Sequence, residues 1–149
     1  MIRINVSGDV KFPDMDFTKD LQYIAEKIII PEIAGHIQNG TDIQGNKYPS
    51  LAESTIKAKG HPNPLIGKDR RLFSETMYQQ TRKAKNEVLI RIKAVRADIG
   101  RYLQIEGIRS KKIPPKRFFN FFGVNQIMEK KAVNYMKRII NERVNNARR

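Results

Sequence analysis

A chain of 149 residues suits one domain, which can bury about 68–70% of its unfolded surface and so needs no covalent staple. The absence of cysteine excludes disulfides and thiolate chemistry, and no run approaches the ~18 apolar residues of a membrane helix. The formal charge of +14 is lopsided: residues 1–81 hold ten Lys/Arg against ten Asp/Glu, and residues 82–149 hold nineteen against five. The C-terminal half is therefore where a nucleic acid or an acidic protein would be met, unless the charge is only a solvated basic surface.

Residues 2–6 alternate Ile2, Ile4 and Val6 with Arg3 and Asn5, the period of a half-buried strand, and the run Met1-Ile2-Arg3-Ile4-Asn5-Val6 lacks the apolar core of a signal peptide. The chain reads as a soluble intracellular product. Ser7-Gly8-Asp9 predicts a turn, with Val10 to Phe12 returning as a short strand before Pro13. Residues 16–38 predict a long helix with Asp16 as N-cap, carried by the stripe Phe17, Leu21, Ile24, Ile28 and continued by Ile33, Ala34 and Ile37. Pro31 predicts a kink or restart within it, and Asn39-Gly40 a stop.

Residues 39–70 are punctuated by glycine and proline and predict a long loop, functional or partly mobile. Within it Ser50-Leu51-Ala52-Glu53 has the S-x-x-E pattern of a capping box, predicting a short helix from Ser50 to Lys59. Leu72 to about Tyr78 fits a helical turn or the approach to a strand. Met77–Arg82 and Glu87–Lys93, on either side of Lys85-Asn86, predict a hairpin whose second arm turns Val88, Ile90 and Ile92 inward, with Leu89 breaking the alternation. Ala94 to Glu106 reads as a short helix ended by Gly107.

The stretch Lys111 to Gly123 combines Lys111, Lys112, Lys116 and Arg117 with Pro114-Pro115 and with Phe118, Phe119, Phe121 and Phe122. Adjacent prolines exclude a helix interior, so it reads as an extended connector with Phe118, Phe119 and Phe122 as core anchors. Residues 125–147 form the second long helix, with Asn125 as cap and Met128, Ala132, Tyr135, Met136, Ile139 and Ile140 on its apolar face. The fold class is α+β: a small antiparallel sheet of the N-terminal strand and a hairpin at about 76–93, packed by helices at about 16–38 and 125–147. It forms a single domain with a basic tail at about 145–149.

No catalytic chemistry emerges. His36 and His61 stand apart without metal-ligand spacing, and there is no nucleophile elbow, phosphate loop or dinucleotide fingerprint. The chain reads as a non-enzyme with no metal, cofactor or small-molecule substrate. Zinc-finger ligands, an RNP-like pattern and a clear helix-turn-helix are also missing, which leaves non-specific contact with DNA as the nucleic-acid reading.

Three stretches then stand in an order that resembles the phage virion-morphogenesis family, the tail-completion proteins of the Mu-like G type. Pro49-Ser50-Leu51-Ala52-Glu53-Ser54-Thr55-Ile56-Lys57-Ala58-Lys59-Gly60 is similar to the family's P-L-x-x-x-T-[IL]-x-x-K helix. Pro64-Leu65-Ile66 with Arg71-Leu72-Phe73-Ser74 is similar to L-[IV]-D-T-G-x-L-x-x-S, with Gly67-Lys68-Asp69-Arg70 in place of Asp-Thr-Gly. Ile113-Pro114-Pro115-Lys116-Arg117-Phe118-Phe119 is similar to I-P-x-R-x-F. The family's Y-A-x-x-H-Q-x-G corresponds to Tyr102-Leu103-Gln104-Ile105-Glu106-Gly107, without the histidine. The resemblance implies a structural protein of the head–tail junction or neck. It would be assembled in the host bacterial cytoplasm and carried in the virion, forming homo-oligomeric rings and meeting other tail, neck or head proteins. Lys57, Lys59, Lys111, Lys112, Lys116 and Arg117 are the expected contact residues.

Overall fold

A computed structural model of the chain describes residues 2–5, 15–64, 77–81, 85–92 and 120–149. Strand β1 (Ile2–Asn5) is followed by α1 (Thr18–Ile24), a π-helical segment (Ala25–Ile29), α2 (Ile30–Asn39), α3 (Glu53–Lys59), strands β2 (Met77–Thr81) and β3 (Glu87–Ile92), and the closing helix α4 (Gln126–Ala147). The sheet order is β1-β3-β2 with both pairings antiparallel. This is the α+β arrangement expected from the sequence. The return strand at Val10–Phe12, the turn after Leu72, the helix at Ala94–Glu106 and the connector 111–119 lie outside the described residues.

Register explains which side of the sheet meets the helices. Ile2 pairs with Ile90 and Ile4 with Val88, so these four side chains share one face, because a strand alternates with a period of two. They join Leu21, Ile24, Ala25, Ile29, Ile33, Ile37, Ile43, Phe121 and Met128 in one core. Leu89 is equally buried, at 0% exposure, but stands outside that cluster. The central strand is thus covered on both faces, which is why its second arm does not alternate cleanly.

The long first helix is continuous, although Pro31 falls inside it. Proline cannot donate to the carbonyl four residues back and its ring crowds that carbonyl. The strain is taken up by the wider π turn immediately before, so that Pro31 occupies the first turn of α2 and no break forms. The same under-winding suits the buried positions. Leu21, Ala25, Ile29, Ile33 and Ile37 recur every four residues, whereas a regular α-helix turns in 3.6.

Two starts differ from expectation. The N-cap position of α1 is Phe17 rather than Asp16, although the Asp16 carboxylate still accepts from the Thr18 N–H at 2.8 Å. Hydrogen bonding from the Thr18 side chain, followed by this backbone bond, holds the Asp16 carboxyl below the usual range. The expected capping box at Ser50 and Glu53 does not form. Helix α3 begins at Glu53 behind an extended Ala52, with no side-chain cap. Ala52 supplies the first carbonyl to Thr55 and Ile56, so Ser50 is too far back to reach N3. Glu53 instead stands in the first turn, where its charge suits the helix dipole.

Within the region expected as a long loop, residues 40–48 form a built turn. Gly40 takes φ 66 to cap α2, and Thr41 bridges Lys47. The Asp42 carboxylate accepts from the N–H groups of Gln44 and Asn46 at 2.9 and 2.8 Å. Ile43 is 3% exposed and its N–H donates to the Asn120 carbonyl at 2.6 Å. The turn is therefore seated in the core beside the start of α4.

Candidate interaction surface

Helix α4 starts on a well-made cap. The Asn125 side chain accepts from the Met128 N–H at 2.9 Å and donates to the Ile43 carbonyl at 2.9 Å. One buried amide thus caps the helix and ties it to the 40–48 turn. His36 joins the same cluster: its Nδ1 lies 2.8 Å from Thr41 Oγ1 and its Nε2 3.4 Å from Asn125 Nδ2. These contacts tie the end of α2 to the 40–48 turn and to the α4 cap.

Along α4 only Met128 is fully buried, while Ala132, Tyr135 and Met136 pack partly buried against the core. Further ties are polar. Lys131 pairs with Glu32, and Arg143 pairs with Asp20. The Arg143 guanidinium also donates to the Asp16 carbonyl at 2.7 Å and lies 4.6 Å from the centre of the Phe17 ring. Arg143 therefore joins the last turns of α4 to the start of α1. Tyr135 stacks on Tyr23 at 4.7 Å with 12° between planes, and Arg138 lies 5.3 Å over the same ring. Partial burial, with the Asp20 charge next, pushes the Tyr135 phenol up.

These ties leave the opposite face of α4 in solvent. Lys130, Asn134, Lys137, Asn141 and Asn145 are all exposed there. Ile127 and Val133 are also exposed, at 60% and 44%. A groove of about 370 Å³ runs beside the helix, lined by apolar residues that include Ile4, Leu21, Ile24, Met136 and Ile140, with Asn5 and Lys137 at its polar edge.

A second concavity, about 570 Å³, lies where α2 ends, lined by residues that include Lys47, Tyr48, Ser50, His61 and Asn63. Asn63 Nδ2 donates to the Ile37 and Gln38 carbonyls at 2.8 Å each, satisfying the C-terminus of α2. Lys59 Nζ donates to the Asn63 carbonyl at 2.7 Å, and burial lowers its pKa. Burial, reinforced by the Asp42 charge, pushes the Tyr48 phenol well above the usual tyrosine range. Among the described residues no three His, Cys, Asp or Glu side chains converge to hold a metal ion.

The expected contact residues are only partly placed. Lys57 is exposed on α3, two residues before Lys59, which is half-buried. Lys111, Lys112, Lys116 and Arg117, with the anchors Phe118 and Phe119, lie outside the described residues. Phe122 packs half-buried against the core, but the deepest aromatic is its neighbour Phe121, at 0% exposure. Sequence reasoning passed over Phe121 because four phenylalanines in five positions carry no periodicity that selects one. Among the described residues no helix is long and apolar enough to cross a membrane.

No family model, curated protein or solved structure matches the chain.

Proposed function

We propose that the chain is a non-enzymatic structural protein of a phage or prophage, acting in tail completion or head–tail joining through ring or partner assembly. The observation that carries this reading is the order of the three stretches at 49–60, 64–74 and 113–119, which resemble the virion-morphogenesis family. The first of them forms α3, closed by Gly60 at φ 80, which agrees with the short helix that the resemblance implies. A small α+β unit with an exposed basic helix also supplies distinct surfaces for head-to-tail contacts, the geometry that closes into rings. Mass photometry of the purified chain, alone and with candidate tail or neck proteins, tests it. Rings or partner-dependent oligomers are expected. A chain that stays monomeric and binds none of them overturns the reading.

A second reading, a basic nucleic-acid-binding module, is favoured by the charge excess that lies wholly in residues 82–149. A titration against DNA at several salt concentrations tests it, because each neutralised phosphate steepens the salt dependence. Absence of binding at ~50 mM salt, where phosphate contacts are strongest, ends it.

A further inference from the structure

We infer that the outer stripe of α4 is a docking surface for the phosphate backbone of a nucleic-acid duplex. The inference rests on the second reading above and gives it a location.

Lys130, Asn134, Lys137, Asn141 and Asn145 follow one another at intervals of four, three, four and four residues, and all are exposed. At 3.6 residues per turn they fall within roughly 80° of the helix circumference, opposite buried Met128, and span about 22 Å. Arg148 continues the line three residues further, at the helix end. Every side chain of the stripe carries a hydrogen-bond donor at its tip, and none is a carboxylate. Glu129 and Glu142 fall on the flanks, and Glu142 lies 4.0 Å from Arg138. Lys131 and Arg143 are turned inward to Glu32 and Asp20. Among the described residues no ion pair engages Lys130 or Lys137.

The composition of the stripe chooses between partners. A protein interface places aromatic, Met and Arg side chains at its centre and depletes Lys; here the one apolar side chain on the line is exposed Ile127, one turn before Lys130, and none stands between Lys130 and Asn145. A single strand is held by stacking on aromatic rings, and the α4 aromatic, Tyr135, faces Tyr23 instead. Lys and Asn side chains are ordinary phosphate contacts that position a protein without reading bases.

The test uses the full chain and a fluorescent duplex of about 21 base pairs, two helical turns, in DNA and RNA forms and in two unrelated sequences. Affinity is measured against salt for the native chain, for Lys130→Gln/Lys137→Gln, for Asn134→Asp/Asn141→Asp and for the exposed α1 control Lys19→Gln, with folding checked by circular dichroism. The double Lys variant is expected to make the log–log salt slope shallower by about 1.8, two phosphates at 0.9 each. The Asp variant, nearly isosteric, is expected to weaken binding without unfolding, and Lys19→Gln to match the native chain. The two sequences are expected to bind alike, and the DNA and RNA arms identify which duplex is preferred. Native-like slopes in both stripe variants overturn the docking surface while leaving the second reading in place. Failure of the native chain to bind any duplex removes both. Tighter binding to poly-glutamate than to duplex, lost in the same variants, overturns the duplex in favour of an acidic protein.

Discussion

At the turn Lys85-Asn86 the hairpin and the start of α1 share one side chain. Asn86 sits at φ 60, its Oδ1 accepts from the Phe17 N–H at 2.6 Å, and its Nδ2 donates to the Met15 carbonyl at 3.2 Å. Glycine keeps the backbone but orphans the Phe17 donor, at a cost of about 1–3 kcal/mol. Alanine adds the left-handed strain, about 1–2 kcal/mol more. Urea midpoints are expected to fall in the order native, Asn86→Gly, Asn86→Ala. A Gly variant as stable as the native chain contradicts the clamp. The sequence marked this asparagine as a turn, but a hydrogen bond to a residue 69 positions away has no local signature. Phe121 is a similar case. From residue 120 into the cap at Asn125 the chain is not helical, so its facing is set by the bond between Ile43 and Asn120 rather than by a period. Phe121→Ala is expected to cost about 3–5 kcal/mol and Phe122→Ala clearly less, as read by denaturant unfolding.

Among the elements, both long helices were legible because an apolar stripe at three- and four-residue spacing fixes type and face together. Their details were not. Pro31 announced a break, while the π segment that absorbs it depends on burial of the four-residue series from Leu21 to Ile37. In an ordinary helix interior, removing proline relieves about 3 kcal/mol. Here the preceding turn is already reshaped, so Pro31→Ala is expected to change stability by less than about 1 kcal/mol, measured by urea unfolding. A gain near the full value places the strain at Pro31 after all. Helix α4 shows the same division. Its boundaries and its Asn125 cap follow from the sequence, but its attachment through Lys131 and Arg143 needs partners on α1 and α2 that only the fold brings near.

On the scale of the whole molecule, alkaline stability has opposed contributions, with the raised phenols of Tyr48 and Tyr135 on one side and Lys59 on the other. Tyr48 has its folded pKa raised above an unfolded value of 10.0, so its contribution is complete below pH 10 and is lost as pH rises beyond it. Lys59 has its folded pKa lowered beneath 10.5 by burial, so the unfolded chain holds the extra proton and stability rises with pH up to about that value. Urea midpoints between pH 8 and 11.5 are expected to hold or climb slightly and then fall. Tyr48→Phe is expected to remove much of the fall, and Lys59→Met the earlier rise. The lopsided charge was visible in composition, and so was the basic closing helix. Which of its cations face solvent was not, because that depends on the acidic residues of α1 and α2.

The sheet order carries a consequence for synthesis. Ile4 pairs with Val88, so β1 waits for a partner made 84 residues later. At about 5–20 residues per second the delay is roughly 4–17 s. Phe121 and Met128, both at 0% exposure, emerge later still. The nascent chain therefore carries an open apolar interior through all of that interval, and the core can close only after Met128 has been made.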